Sequence, residues 1–261
     1  MYSIERKTEI IKMLEHDGKI DVNTLAAHFH TSKETIRRDL KNLETQGVLK
    51  RTHGGAVSNR MENGAVIQEY PLAIRKIQNH REKQALCQRA VSYINNGDII
   101  FVDNSSTTMY LAQFLPAALS VTFLTNSVKF LTEASQYDCS KKTLICLGGM
   151  FNPKNLSTYA NDSLINVKDY YPDKCFISCA GISQEHKLTD TSLYELNTKK
   201  HMIAASKEVF LLADHTKFDN DGQFFLSDFN NIQHIITDSE TDLSKYPYLQ
   251  MDHLDLVSVC D

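Results

Sequence analysis

The stretch T-S-K-E-T-I-R-R-D-L, residues 31–40, predicts an amphipathic helix that continues to Gly47. Its apolar face carries, at helical spacing, Ile36, Leu40 and Leu43. Thr31 is placed to cap the N-terminus, with Glu34 three residues later completing a capping-box pattern. Four basic residues fall largely off the apolar face: Lys33, Arg37, Arg38 and Lys41. A lone helix of this kind is more often a solvated surface helix than a binding element, so its neighbours decide its role.

The chain on either side completes a winged helix-turn-helix pattern. Residues 3–16 predict a first helix, residues 19–21 a short strand and residues 22–29 a second helix. The three-residue break at 30–32 is the short turn that joins the two helices of a helix-turn-helix. Residues 48–57 read as two short extended pieces around a basic, glycine-containing turn, which is typical of a wing. The helix therefore has the setting of a recognition helix.

The residues of this segment resemble the start of the DeoR family of bacterial transcription regulators. The quoted matches are T-I-R-R-D-L at 35–40, L-E at 43–44, Gly47, Leu49, Arg51 and H-G-G-A at 53–56. The resemblance covers nearly all of residues 3–57. It implies that this segment binds DNA.

Roles on DNA follow from the geometry of a recognition helix, whose N-terminal residues reach deepest into the major groove. The candidates for base contacts are Ser32, Lys33, Thr35 and Arg38. The candidates for phosphate contacts are Arg37, Lys41 and Arg51. On the wing, Lys50, Arg51 and His53 would lie where it meets phosphate or the minor groove. Asp39 is expected to orient an arginine or a neighbouring backbone group rather than to face DNA. The alternative for each residue taken singly is a solvated side chain.

Length and charge are consistent with a two-domain protein that meets nucleic acid at one end. At 261 residues, two domains are the natural expectation. Residues 1–60 carry 11 Lys/Arg and 8 Asp/Glu, whereas the remainder carries 17 and 24. The basic N-terminal segment thus precedes an acidic body, a mild asymmetry that favours DNA binding by the first segment only.

Other classes of protein are disfavoured by composition. No apolar run approaches the roughly 20 residues that span a bilayer, and the first residues lack a secretory signal, so a cytoplasmic protein is expected. The six cysteines are scattered without C-x-x-C spacing and several lie in apolar runs, which predicts buried reduced thiols. The ten histidines also lack metal-ligand spacing. Neither a metal nor a cofactor is expected.

The rest of the chain predicts a mostly parallel α/β domain. We expect the DNA-binding domain over residues 1–57, a linker over 58–79 and the α/β domain over 80–261. Short apolar strands alternate with helices, as in a parallel sheet. The predicted strands are 98–103, 121–125, 143–147, 175–181, 209–214 and 234–238. The predicted helices are 80–95, 107–115, 128–134, one around 160–170, and 192–206, with a short helix starting near 71.

The carboxyl ends of these strands carry the candidate ligand residues. In open α/β sheets, ligands bind beyond the carboxyl ends of the strands. The first strand runs into a hydroxyl-rich turn and a helix N-terminus, which favours an anion such as phosphate. The candidates are Asp103, Ser105, Ser106, Thr107, Thr108, Asn126, Gly148, Gly149, Gly181 and Lys217. Simple helix caps are the alternative for the hydroxyl turn alone.

This second part is similar to the DeoR-family sensor domain, over roughly 80–238. The matching pieces include 103–108, 124–127, 147–149, 188–190, Glu195 and 211–218. The resemblance implies a fold similar to ribose-5-phosphate isomerase and a phosphorylated sugar or related metabolite as effector. It adds Asp190 and Glu195 to the candidates. Ser105 stands where the family's first loop usually carries a glycine.

The leading hypothesis is a transcriptional regulator, a repressor of carbohydrate-metabolism genes that responds to such an effector and acts as a homo-oligomer on operator DNA. A sugar-phosphate isomerase with an appended DNA-binding domain is the alternative, with Glu195, Asp190 and Lys217 as acid/base candidates. A constitutive architectural DNA binder, whose large domain serves only oligomerisation, is a third reading.

Overall fold

The computed structural model describes residues 3–45, 47–58, 72–160, 169–185, 187–249 and 254–259. The chain divides into two compact units, Met1–Gln78 and Asn79–Asp261. Most of the expected linker, residues 59–71, lies outside the described ranges, as does most of the helix expected around residues 160–170.

The first unit is the predicted winged helix-turn-helix. Its elements are α1 (Ser3–Asp17), β1 (Lys19–Asp21), α2 (Val22–His28), α3 (Lys33–Thr45), β2 (Leu49–Arg51), β3 (Gly55–Ser58) and α4 (Leu72–Ile77). In the described part of this unit, β1, β3 and β2 form an antiparallel sheet in that order, with β2 and β3 as the wing. The core contains the apolar faces of α1, α2 and α3, including Ile10, Leu14, Leu25, Ile36, Leu40 and Leu43.

The expected cap of α3 is wrong by one residue. The N-terminal cap is Ser32, whose Oγ accepts a hydrogen bond from the Thr35 amide at 3.1 Å. Thr31 lies one residue earlier, where its amide donates to a carbonyl of α2 at 3.0 Å and closes the preceding turn. Glu34 instead approaches Arg37, one helical turn further on, at 3.6 Å.

Gly55 allows β3 to approach β1 closely. It pairs with Asp21 in the strand register, and a Cβ at this position would lie 1.9 Å from the Ile20 carbonyl oxygen. Any side chain here would push the two strands apart. The second glycine of the H-G-G-A motif is therefore required by the packing of the wing.

The second unit is built on a parallel sheet. Its helices are α5 (His80–Val91), α6 (Leu111–Phe114), α7 (Val128–Ala134) and α8 (Leu193–Ala205). Its strands are β4 (Ile99–Val102), β5 (Val121–Thr125), β6 (Lys142–Cys146), β7 (Met150–Asn152), β8 (Ser157–Tyr159), β9 (Lys174–Ile177), β10 (Gly181–Ile182), β11 (Lys187–Asp190), β12 (Glu208–Leu212), β13 (Phe224–Asp228), β14 (His234–Asp238) and β15 (Leu254–Val257). Among the described residues, seven strands pair in parallel in the order β15-β14-β12-β9-β4-β5-β6.

This sheet confirms the predicted α/β class and brings the predicted strand ends to one edge. All six predicted strands are present, and β15 is an addition to them. Because β9 and β4 lie in the middle of the order, the loops that follow them are central at the carboxyl edge. The core under the sheet includes Phe101, Leu124, Ile177, Leu211 and Ile235.

Two small antiparallel pieces were not predicted. Strands β10, β11 and β13 form a sheet in that order, and β7 pairs with β8 as a hairpin. Both pieces follow strands of the main sheet, so they border its carboxyl edge.

The described cysteines are free thiols, and the prediction that they are buried holds for Cys87, Cys175 and Cys179. Burial raises the pKa of Cys179 to about 12, which keeps its thiol protonated. The prediction is wrong for Cys146, which is exposed because β6 is the last strand in the described sheet order. Cys139 is half-buried. Within the described residues, none of the helices has the length and apolar character needed to cross a membrane.

Candidate nucleic-acid and effector sites

Helix α3 presents its basic side to solvent. The side chains of Lys33, Arg37, Arg38 and Lys41 are exposed, as is Ser32, while Thr35 is half-buried. The Ser32 and Thr35 hydroxyls lie 2.9 Å apart, so capping engages both of them. The opposite face of the helix packs into the core. The face that carries the base-contact candidates is thus free to enter a groove, and the individual contacts remain predictions.

Asp39 lies beneath this face and orients an arginine, as expected. Its Oδ2 atom is 2.6 Å from Nε of Arg6, and both side chains are almost completely buried. Nearby, Lys7 Nζ donates to Asn42 Oδ1 at 3.0 Å. These contacts fasten α1 to α3 and fix the orientation of the recognition helix.

Arg51 on the wing is tied to the end of α3. Its amide and its Nε atom donate to the two Glu44 carboxylate oxygens at 2.9 and 2.7 Å. The hydrogen bond from the Arg51 backbone, followed by that from its side chain, lowers the pKa of Glu44 below its ordinary value. A phosphate contact by Arg51 would therefore share the guanidinium with Glu44. His53 is exposed in the turn of the wing.

Asp103 is the centre of a buried network at the carboxyl end of β4. Its Oδ1 atom accepts hydrogen bonds from the Ser105 amide at 3.1 Å and the Thr108 hydroxyl at 2.6 Å. Its Oδ2 atom accepts one from the Ser178 amide, after β9, at 3.1 Å. Both oxygens are thus engaged by the protein. Asp103 shapes the hydroxyl-rich loop and joins it to the loop of the neighbouring strand.

Lys199 of α8, which the sequence reasoning missed, completes this network. Its Nζ atom lies 3.1 Å from Asp103 Oδ2 and 2.6 Å from Asp190 Oδ2, and it donates to the Ser178 carbonyl oxygen at 3.1 Å. Burial by itself would lower the pKa of Lys199, but Asp190 and Asp103 outweigh it and hold that pKa above the ordinary value. No signal within α8 marks Lys199, because its partners Asp103, Ser178 and Asp190 all lie outside the helix.

The remainder of the hydroxyl-rich loop is built around caps and a second buried lysine. Ser105 Oγ accepts from the Thr108 amide at 3.1 Å and so caps the short 3-10 turn that follows. Lys83 of α5 is buried, and its Nζ atom donates to Ser106 Oγ at 3.2 Å. Thr107 is buried, and its carbonyl accepts from the Cys87 thiol at 3.1 Å. Lys83 was also missed, although it lies three residues before Leu86 on the buried side of α5.

Asp214 and Lys217 follow β12 at the same edge. Asp214 is completely buried, and its Oδ1 atom accepts hydrogen bonds from the Thr216 amide at 3.1 Å and from Asn79 Nδ2 at 3.3 Å. Burial would raise the pKa of Asp214, but the positive charges of Lys217 and Lys83 outweigh it and lower that pKa. Lys217 is half-buried and, within the described residues, has no ion-pair partner.

Three candidates belong to the β7–β8 hairpin and its attachment. Glu195 is buried and accepts hydrogen bonds from the side chains of Asn152, Asn155 and Ser157, which fasten the hairpin to α8. Gly149 has φ +130°, and a Cβ there would lie 2.4 Å from a carbonyl oxygen of β8. Asn126 Nδ2 donates to the Thr158 carbonyl oxygen at 3.0 Å. These three residues have structural partners in the hairpin.

The two remaining glycine candidates, Gly181 and Gly148, differ in whether the surrounding backbone leaves room for a side chain. A Cβ at Gly181 would lie 1.8 Å from the Asn220 carbonyl oxygen, so backbone packing requires this glycine. A Cβ at Gly148 would meet no atom within 4 Å, so packing places no such demand there. A groove between α8 and β13, lined in part by Lys200, Phe225 and Asp228, contains none of the candidates.

The structure therefore brings the candidates into connected groups at the carboxyl edge. One group is the loop 103–108 with Asp190, held by Lys199. Lys83 links this loop to the second group, Asp214 and Lys217, through its bond to Ser106 and its charge. Hydroxyl groups and two lysine ammonium groups at one edge suit an anionic ligand that also carries polar groups.

Comparison with known proteins agrees with both units. A family model described as a DeoR-like helix-turn-helix domain matches residues 6–62, and one described as the DeoR C-terminal sensor domain matches residues 78–239. The second match alone covers more than half of the chain.

Three relatives align over nearly their whole length. YulB of Bacillus subtilis, named an uncharacterized HTH-type transcriptional regulator, is 33% identical over 93% of this chain and 91% of its own. The L-fucose operon activator of Haemophilus influenzae is 32% identical over 91% of this chain and 93% of its own. The HTH-type transcriptional repressor GlcR of Bacillus subtilis is 30% identical over 91% of this chain and 89% of its own. With its winged helix-turn-helix and its α/β unit, this chain belongs to the DeoR family of DNA-binding transcriptional regulators.

Proposed function

We propose that this regulator represses carbohydrate-metabolism genes and that a phosphorylated sugar or related metabolite, bound at the carboxyl edge of its sheet, changes its affinity for operator DNA. In this proposal the operator is bound by residues 1–57 and the effector by residues 80–261. The two domains are connected by the linker, residues 58–79. The names of the relatives support regulation over the isomerase alternative. One relative is named an L-fucose operon activator and another a repressor. Whether the effector weakens or strengthens operator binding is therefore part of the test.

One observation carries the effector part of the proposal. The loop 103–108 brings a run of hydroxyl side chains to a strand end, where the Ser105 and Thr108 amides donate within the loop itself. Lys83, which donates to Ser106, and Lys217, which acts on Asp214 after β12, add positive charge at the same edge. Hydroxyl groups and lysine ammonium groups are ordinary phosphate ligands in proteins, which supports an anionic effector at this edge. Asp103 and Lys199 hold the loop in place rather than contact the effector, since their polar atoms are engaged with each other and with neighbouring groups.

Regulation requires that the effector bind differently to two states of the protein. An effector with equal affinity for the operator-bound and the operator-free form would change nothing. The expected coupling is about 1–3 kcal/mol, which corresponds to a change of operator affinity of about 5- to 150-fold.

The test is operator binding by the purified full-length protein while hexose and pentose phosphates are titrated singly. We expect at least one compound to weaken binding, with the corresponding unphosphorylated sugar inactive. Tighter binding would show corepression. No response to any compound, together with no ligand-induced thermal stabilisation, would favour the constitutive DNA binder.

The same protein preparation addresses the isomerase alternative. We expect each effector to be recovered unchanged after incubation with the protein. Appearance of the ketose phosphate from an aldose phosphate, at a rate that scales with protein concentration, would contradict a purely regulatory role.

We further propose a homo-oligomer that works in the cytoplasm, where operator DNA is found. Helix-turn-helix proteins bind paired half-sites as dimers, so operator symmetry mirrors protein symmetry. Sedimentation equilibrium across a concentration range is expected to give at least twice the chain mass. A monomer at the concentration that saturates the operator would contradict this part.

A further inference from the structure

Glu34 is an acidic residue in the middle of the exposed side of α3. The opposite side of this helix packs into the core through Ile36, Leu40 and Leu43, which are buried. Each residue of an α-helix turns the chain by about 100°, so Glu34 and Arg38 lie within about 40° of each other and roughly opposite Ile36. Both residues are exposed. A carboxylate therefore lies one helical turn before Arg38, a candidate for base contact.

The fold itself makes little use of this carboxylate. Its ion-pair partner is Arg37, at 3.6 Å, and the side chains of Glu34 and Arg37 are 84% and 60% exposed. An exposed pair of this kind contributes little to stability. With Ser32 as the N-terminal cap, Glu34 is the second residue of the helix, whereas a capping box needs the acidic residue at the third. The Glu34 carboxylate is thus available to a partner outside the protein.

The negative charge of Glu34 restricts which part of DNA it can contact. A carboxylate is repelled by the phosphate backbone, which the exposed basic residues of the same helix suit: Lys33, Arg37, Arg38 and Lys41. In the major groove the hydrogen-bond donors are the amino groups of cytosine and adenine. Adenine presents its acceptor N7 beside the amino group, and this acceptor repels a carboxylate, whereas cytosine presents its N4 amino group alone. Cytosine is therefore the base that fits.

We propose that the Glu34 carboxylate accepts a hydrogen bond from the N4 amino group of a cytosine in the major groove, which makes Glu34 a specificity residue of the recognition helix. The proposal gives an order of preference at one base-pair position of the operator. Cytosine is preferred, adenine follows, and thymine and guanine, which present acceptors without the donor, come last. The inference depends on DNA binding by the first unit and not on the proposed effector.

The test begins with the selection of preferred sequences by the full-length wild-type protein from a randomised duplex library. Gel-shift titrations at fixed salt then compare the selected duplex with duplexes that carry each other base pair at each position. For wild type, we expect one position at which replacing cytosine weakens binding by about tenfold or more. Glu34→Ala is expected to bind all four base pairs at that position about equally well. Glu34→Gln is expected to prefer adenine there, because an amide side chain pairs with adenine N6 and N7.

Asp17→Ala is the matched control. Asp17 ends α1, and its side chain is 52% exposed. Its removal changes the net charge of the first unit by the same amount as Glu34→Ala, but on a different helix. We expect this variant to keep the wild-type base preference at every position. Loss of the cytosine preference in both variants would show an effect of overall charge and overturn the proposal.

The salt dependence of binding separates base reading from the alternative, in which Glu34 only occupies Arg37. In that alternative Glu34→Ala releases Arg37 to a phosphate, so binding tightens for all sequences alike and the slope of log affinity against log salt steepens by about one. That result, or an unchanged cytosine preference in Glu34→Ala, overturns the proposal. Wild type alone also decides, without any variant: a selected site in which no position follows the stated order overturns it. A protein that responds to no sugar phosphate would lose the proposed effector and keep this inference.

Discussion

Replacing Lys199 with methionine is expected to destabilise the second unit by about 3–5 kcal/mol. The Lys199 side chain is 7% exposed, and its ammonium group is 2.6 Å from Asp190 and 3.1 Å from Asp103, whose side chains are 10% and 1% exposed. Methionine keeps a long unbranched chain but leaves both carboxylates without their cation. Removal of one partner of a buried ion pair has this cost because the remaining charge is uncompensated.

The assay is urea-induced unfolding followed by circular dichroism, with limited proteolysis to identify the unit that unfolds. The control is Lys207→Met, which removes a 2.8 Å ion pair with Asp173 where the lysine side chain is 69% exposed. An exposed pair contributes about 0–1 kcal/mol. If the two substitutions cost the same, the argument from burial is refuted. Adding Asp190→Asn to Lys199→Met is expected to restore part of the loss, because it removes one uncompensated charge.

Four other substitutions, one of them a control, test other parts of the structure. Arg38→Ala is expected to weaken specific operator binding by about 10- to 100-fold in gel-shift titrations at fixed salt while leaving sugar-phosphate binding unchanged; full operator affinity would remove Arg38 from the base-reading set. Gly55→Ala is expected to cost about 3 kcal/mol in thermal unfolding, because its Cβ would lie 1.9 Å from the Ile20 carbonyl oxygen. Gly54→Ala, whose Cβ would lie 3.6 Å from the nearest atom, should cost within about 0.5 kcal/mol; equal costs would contradict the packing argument. The pKa of Asp214 is lowered in the fold, so its contribution to stability is complete above its unfolded pKa of about 3.9 and is lost as the pH falls through the folded value. The difference in unfolding free energy between wild type and Asp214→Asn should therefore be constant from pH 7 to pH 5 and shrink below about pH 4; shrinkage already between pH 7 and pH 5 would show that the pKa is raised instead.

The elements that sequence patterns predicted are those whose signal is local. The apolar face of α3 and the apolar runs of the central strands each identify an element within a few residues. The strands β7, β8, β10 and β11 are two to four residues long and mix polar with apolar side chains, so no local period marks them. The exposure of Cys146 depends on β6 being the edge strand, and sheet order is not a local property.

In the candidate site too, the residues that the sequence identified have a local signal, and those that it missed do not. The hydroxyl-rich turn was found because its members are consecutive in sequence. Lys83 and Lys199 were missed because their partners lie on other elements: Lys83 is 23 residues from Ser106, and Lys199 is nine residues from Asp190 and 21 from the carbonyl that it binds after β9. A lysine on the apolar side of a helix has no visible partner until the sheet brings one to it. Buried charges of this kind are the part of the site that required the fold.

The serine at position 105 shows how the loop accommodates a departure from the family pattern. A glycine would be required there if the backbone adopted a positive φ, yet Ser105 is not among the described non-glycine residues that do. Its Oγ atom caps the turn at Thr108, which a glycine could not do. Within residues 103–108, Ser105 is half-buried while the other side chains are buried. A side chain at this place therefore adds a half-buried hydroxyl group that is bonded to Thr108 within the loop. The loop accommodates the missing glycine by itself, so its absence does not count against the anion proposed at this edge.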